Sequence, residues 1–341
     1  MDLASDFKRL SVAWKTTLLA ALTVGHILAQ GVGKSVLLSA ACVELNQTVM
    51  AQVSNGKLRD GELMVSAFLA SGADPAPEPC VGLVLNNMAV FMSVSGRVAD
   101  AERLAERSVL ILEKAYAPDD GVLLHPLQVL AATRFEQGKT AKAREALKKM
   151  QSIRVELPED QALVHGMAAA LLEREGRRPE AEAEYLAAFR SWEAAGKAET
   201  AEAATILSGL GSLYIELRRL TEAQQTLDRA LAIFSRAKDT LPGDLIKLLQ
   251  IRGVLHAWQG DWLEAEKDYR NALSISDREH WSDPIALRPL LTRYAHILRK
   301  NHHGREARSM EVRAAALQPG DAATAIVDIT ELFPKTKRSK K

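Results

Sequence analysis

Three groups of residues could do chemistry. Gly33, Lys34 and Ser35, in "AQGVGKSVLLSA" (residues 29–40), supply the end of a phosphate-binding loop. Such a loop needs an earlier glycine five places upstream and a strand-to-helix setting, so that backbone N–H groups can cradle phosphates. That upstream position is Leu28, and no strand–helix alternation surrounds it, so a nucleotide site is set aside. Cys42 and Cys80 form no Cys-x-x-Cys pair, which removes zinc knuckles and thioredoxin-like redox chemistry. His302 and His303, with His296 nearby, could ligate a metal. Adjacent residues cannot share a helix face, and no carboxylate or cysteine completes the set, so the pair reads as a solvated turn. No Ser-His-Asp, Cys-His or paired-carboxylate arrangement stands out. The reading is a non-enzyme with no cofactor and no metal.

What remains is the scaffold that would position a binding surface. The 341 residues are 47% hydrophobic and 26% charged, a globular balance. The net charge of +1 provides no field for nucleic acid or an anionic membrane. Aromatics are only 5%, and alanine and leucine dominate, which favours helices over strands.

One unit recurs. "SGRVADAERLAERSV" starts at 95, "QGKTAKAREALKKM" at 137, "EGRRPEAEAEYLAA" at 175, "LRRLTEAQQTLDRA" at 217, "QGDWLEAEKDYRNA" at 259 and "NHHGREARSMEVRA" at 301. The second residue of each is a turn position: Gly96, Gly138, Gly176, Arg218, Gly260 and His302. Five residues later stands an alanine every time: Ala101, Ala143, Ala181, Ala223, Ala265 and Ala307. Seven residues before the turn stands Ala89, Ala131, Ala169, Gly211, Gly253 or Ala295. Small residues at fixed places let two helices approach closely. A glycine at the turn ends the first helix with a left-handed backbone.

This pattern resembles the tetratricopeptide repeat, a helix–turn–helix unit. Its prevailing 42-residue spacing is similar to kinesin light chain-like repeats, and "LNNMAVFMSVSGRVADAERLAERSVLILEKA" (85–115) is the best example. The resemblance covers residues 80–316, six repeats. It implies an all-α fold, a right-handed superhelical α-solenoid of stacked hairpins with a concave inner surface. Arg218 and His302 depart from the turn glycine, and Arg252 stands where a leucine is expected. Upstream, residues 43–72 read as a degenerate repeat or cap turning at Asn55-Gly56, and "ADPAPEP" (73–79) reads as a linker.

The functional expectation is a protein or peptide partner held in the concave groove. The offsets from the turns line that groove with Asn86, Gln128, Ser208, Gln250 and Thr292 in one row, and Ser212 and His296 in the next. Ser93, Phe135, Glu173, Ile215 and Arg299 follow, then Glu136, Arg174, Glu216, Trp258 and Lys300. Phe135 and Trp258 are candidate apolar anchors, since aromatics dominate binding hot spots. By the family resemblance, Asn87 corresponds to an asparagine that lines the peptide groove; the other repeats lack it. Arg293, Arg299 and Lys300, with Arg305 close by, make the C-terminal end basic, so an acidic partner segment would favour that end.

Lys8, Arg9 and Lys15 precede the apolar run "TTLLAALTVGHILA" (16–29), the layout of a secretory signal peptide. Export, with no membrane span in the mature chain, is the expectation; a cytoplasmic regulator with an uncleaved N-terminal helix is the alternative. "LLSAAC" (37–42) faintly resembles a lipoprotein box with Cys42 as the lipid-bearing residue. Cys42 and Cys80 would sit on adjacent hairpins. The reading leans to two buried thiols packed as small hydrophobes, with a disulfide as the alternative that would support export. Beyond 316, residues 323–330 read as an extended segment over the last hairpin, and Lys335 to Lys341 as a basic end giving weak, salt-sensitive attraction rather than specific nucleic-acid binding.

Overall fold

A computed structural model describes residues 39–71, 77–94, 97–237, 240–278 and 284–317. The segment 1–29, Gly33–Ser35 and the tail after 317 lie outside the described residues, as does the turn at Gly96. The described residues form fourteen α-helices and no strand. They pair into seven hairpins: α1 (Ala40–Ser54) with α2 (Leu58–Ser71), α3 (Pro77–Val94) with α4 (Val98–Ala115), α5 (Leu124–Glu136) with α6 (Thr140–Ser152), α7 (Pro158–Arg174) with α8 (Arg178–Ala194), α9 (Ala201–Glu216) with α10 (Leu220–Phe234), α11 (Pro242–Gln259) with α12 (Trp262–Arg278), and α13 (Pro284–Lys300) with α14 (Gly304–Ala316). The residues read as a degenerate repeat thus form a full hairpin. The linker is shorter than expected: Pro77 and Pro79 belong to the first turn of α3, where a missing N–H costs no helical bond.

The two helices of a hairpin differ in sequence for a physical reason. First helices in the middle of the array are hemmed in by neighbours and are apolar nearly all round; α9 is buried from Ala203 to Ile215. Second helices carry one apolar stripe, as Ala223, Leu227, Ala230 and Phe234 do on α10, and turn their charges outward. The alanines five residues after each turn are fully buried. At Gly253 a Cβ would come within 2.6 Å of the Tyr269 ring, so the small residue is required by contact.

Gly138, Gly176 and Gly260 take φ of 75°, 77° and 84°, and Arg218 and His302 follow them into the left-handed region at 63° each. The repeat geometry therefore overrides residue preference at two turns. A non-glycine residue there costs about 1–2 kcal/mol. His302→Gly is expected to stabilise the last hairpin by about 1 kcal/mol, read as a higher urea midpoint.

Polar pairs tie neighbouring repeats together. Glu102, Glu182 and Glu266, six residues after their turns, meet the residue just after the following turn: Lys139 at 2.5 Å, Arg219 at 2.7 Å and His303 at 3.0 Å. The junction between α6 and α7 reverses the sign, with Arg144 pairing to Glu175.

Asp160 and Asp244 are the third residues of α7 and α11. A helix N-terminus favours a carboxylate. Burial wins at both, pushing each carboxyl up to about 6. Among the described residues neither oxygen of Asp244 has a hydrogen-bond partner, and Glu202 opposes its charge while Lys247 favours it. Because the folded state holds this proton more tightly, its stability is highest below the unfolded carboxyl's range. It falls as pH rises towards 6 and is level above. Asp244→Asn is expected to flatten that slope and to gain at most about 3 kcal/mol at pH 7, with no gain at pH 4. Urea midpoints at the two pH values check it.

The apolar interior is not one body. One cluster runs from Cys42 to Leu255 and a second from Ile246 to Ala314. Helix α11 contributes to both, and the half-buried Leu231 and Leu245 touch both.

Candidate functional site

The expected groove residues divide sharply by exposure. Asn86, Gln128, Ser208 and Gln250 are buried, as are Ser212, Phe135 and Glu173. Neighbouring first helices stand close enough to cover these rows. The Ser208 hydroxyl donates to the Ala204 carbonyl of its own helix at 2.8 Å. The Asn86 amide is enclosed with neither atom hydrogen-bonded among the described residues. Glu173 accepts a 2.9 Å hydrogen bond from the Tyr185 hydroxyl.

Phe135, expected as an exposed anchor, is fully enclosed. The Arg174 guanidinium lies 3.7 Å over its ring and donates to its carbonyl. Burial lowers the Arg174 pKa, and Glu173 works against that shift. Phe135 and Arg174 thus form a structural unit across two repeats. Asn87 is half-buried, and its amide donates to the Asn46 carbonyl oxygen on α1 at 2.8 Å, which ties the first hairpin to the second.

The C-terminal end is more open. Thr292, Arg293 and His296 are half-buried, and Arg299 and Lys300 are exposed. No described hairpin packs beyond α13 on that side, so among the described residues the rows covered elsewhere are uncovered there. Trp258 is half-buried under Arg218, whose guanidinium is 3.4 Å from the ring centre. His296 meets the Trp262 ring edge-on at 6.5 Å, and the Lys300 ammonium lies 5.4 Å over the same ring. Arg299 is held by Glu311 at 2.7 Å, so its charge is partly spent within the hairpin. Arg218 and Trp262 were missed by sequence reasoning. The signal for Arg218 was its intrusion at a glycine position, where its side chain projects towards the next repeat.

Cys42 and Cys80 are joined as a disulfide with Cα atoms 5.7 Å apart. The two-thiol reading is corrected: α1 and α3 pack side by side, and both sulfurs fall in their interface. The lipoprotein reading of Cys42 is corrected with it, since a disulfide sulfur carries no lipid thioether. Ser39, the residue that disturbed that motif, caps α1 by accepting from the Cys42 N–H at 3.1 Å. At the far end, His303 Nδ1 lies 3.0 Å from Glu266, and His302 occupies the turn. Among the described residues no helix is long and apolar enough to cross a membrane.

Residues 81–154 and 160–236 match the tetratricopeptide repeat family. No curated protein matches the chain. The solved structure of the apo form of RapI aligns over 81% of this chain and 96% of its own, with 10% identity and a TM-score of 0.59. A tetratricopeptide repeat protein from Parabacteroides merdae ATCC 43184 aligns over 86% and 98%, with 17% identity and a TM-score of 0.52. BtubC (BKLC) from P. vanneervenii aligns over 70% and 96%, with 24% identity and a TM-score of 0.49. The likeness to the first two of these structures is one of fold.

Proposed function

Because the chain is a tetratricopeptide repeat protein, we propose that it is a non-enzymatic scaffold that holds a protein or peptide partner on its inner face, at the C-terminal end. The supporting observation is the change in exposure along equivalent positions. Asn86, Gln128, Ser208 and Gln250 are covered, whereas Thr292, Arg293, His296 and Lys300 reach the surface beside Trp258 and Trp262. Aromatic rings flanked by cations suit a partner segment that carries carboxylates between apolar residues.

Cys42–Cys80 supports a further part of this reading, export to an oxidising compartment with removal of residues 1–29, since such bonds persist there. Intact mass of the protein from its native cell, with and without reduction, tests that part. A chain starting at Met1 with free thiols counts against it.

The partner can be trapped with a photo-crosslinking residue in place of His296 and identified by mass spectrometry. The doubly reversed variant Arg293→Glu/Lys300→Glu is then expected to bind that partner about tenfold more weakly, and the wild-type affinity to fall with added salt. Equal affinity of variant and wild type would remove the cationic end from the interface.

A further inference from the structure

Eight residues before the turn, five hairpins of the array place a buried apolar side chain: Met88, Leu130, Ala168, Leu210 and Tyr294. The hairpin α11–α12 places Arg252 there. Two more exchanges accompany it. Where the α3–α4 hairpin has Met92 and Leu104, this one has His256 and Asp268. The three side chains stay inside: Arg252 is 13% exposed, His256 9% and Asp268 4%. A polar trio containing an ion pair, in a place built for an apolar one, costs stability because its members lose their water.

The trio is also poorly satisfied. The Arg252 guanidinium has Asp268 at 3.4 Å and Asp228 at 3.7 Å, and makes a hydrogen bond to neither. Its Nε is buried with no acceptor. His256 Nδ1 lies 3.1 Å from the other Asp268 oxygen. A guanidinium offers five donors in a planar fork that matches a carboxylate. Arg252 is half-buried, and among the described residues that capacity is unused.

Beside it a cleft of about 510 Å³ opens between α10 and α12, floored by α11. Leu231, Leu245, Leu249 and Ile275 make its wall, and Lys267 and Arg278 stand at its edge. It lies where the apolar interior divides in two. Its size is that of a small-molecule site, and its lining carries three cations against one carboxylate.

We propose that this cleft binds a small aliphatic carboxylate, with its chain against the leucines and its carboxylate on Arg252. The bound carboxylate takes the hydrogen bonds that Asp268 and Asp228 leave unmade, and its chain joins the two halves of the interior. This goes beyond the scaffold reading and does not depend on it, since the cleft lies among the second helices and away from the inner face.

The test is titration of the full chain with octanoate by calorimetry at neutral pH. Saturable binding at one site is expected. The variant Arg252→Met/Asp268→Leu, which takes the residues of the α3–α4 hairpin, is expected to bind at least about tenfold more weakly. 1-Octanol, which has the chain without the charge, is expected to bind wild type about tenfold more weakly than octanoate does. A second variant, Lys267→Ala/Arg278→Ala, changes only the cleft edge and is expected to lose about threefold. The proposal is overturned by absence of saturable octanoate binding or by octanol binding as tightly as octanoate. It is equally overturned if the folded core variant binds as wild type does. Should that variant fail to fold, unchanged affinity in the edge variant overturns it.

Discussion

Reducing Cys42–Cys80, or replacing Cys80 with serine, is expected to cost about 4 kcal/mol. That is the chain-entropy value for a closed loop of this length, with 38 residues between the sulfurs in sequence. The loss should not spread evenly. In a stacked array each hairpin holds only to its neighbours, so stability is a sum of local terms. The α1–α2 hairpin is at the end of the described stack and has neighbours on one side only. Among the described residues its remaining ties to the second hairpin are apolar contacts, the hydrogen bond from Asn87 to Asn46 and the Arg103–Glu62 ion pair at 2.8 Å. Hydrogen exchange should therefore show α1 and α2 losing protection on reduction, while α7 to α10 keep theirs. A thermal scan should split into an early, small transition and a later, larger one. Superimposable scans of the oxidised and reduced protein would mean that packing alone secures the first hairpin.

Asp268→Ala is the second large effect. It leaves the half-buried Arg252 with Asp228 at 3.7 Å as its remaining anion. Removing one partner of a buried ion pair typically costs about 3–5 kcal/mol, because the other charge stays desolvated. The paired change Arg252→Met/Asp268→Leu removes both charges and is expected to be neutral or stabilising by about 1–4 kcal/mol. The contrast is the informative part. A cost in the single variant that vanishes in the double one identifies unpaired charge as the cause. Equal destabilisation in both would instead point to the shape of the side chains. Denaturant midpoints followed by circular dichroism report the difference.

The fold could be read because a solenoid repeats its contacts. A fixed offset between alanine, small residue and turn constrains every hairpin at once, so Arg218 and His302 did not obscure the pattern. The groove residues could be numbered by the same offsets, but their exposure could not. Whether Gln128 faces solvent depends on how near α7 lies to α5, which is a matter of curvature rather than of spacing within a repeat. Phe135 shows the same limit: the Arg174 that covers it belongs to the next hairpin. The disulfide was undecided at the sequence level because a separation of about one repeat fits both bonded and unbonded thiols. Arg252 was visible as an exception, but its meaning depended on His256 and Asp268, which only three-dimensional proximity joins to it.

The Cys42–Cys80 bond has a mechanical consequence. A chain of evenly glued units stretched from its ends has no preferred breaking point, whereas this one carries a rivet. Tension along the axis would part hairpins held by packing and polar pairs before it separated α1 from α3, which are joined covalently. The array is thus a spring with its first coil clamped to the second.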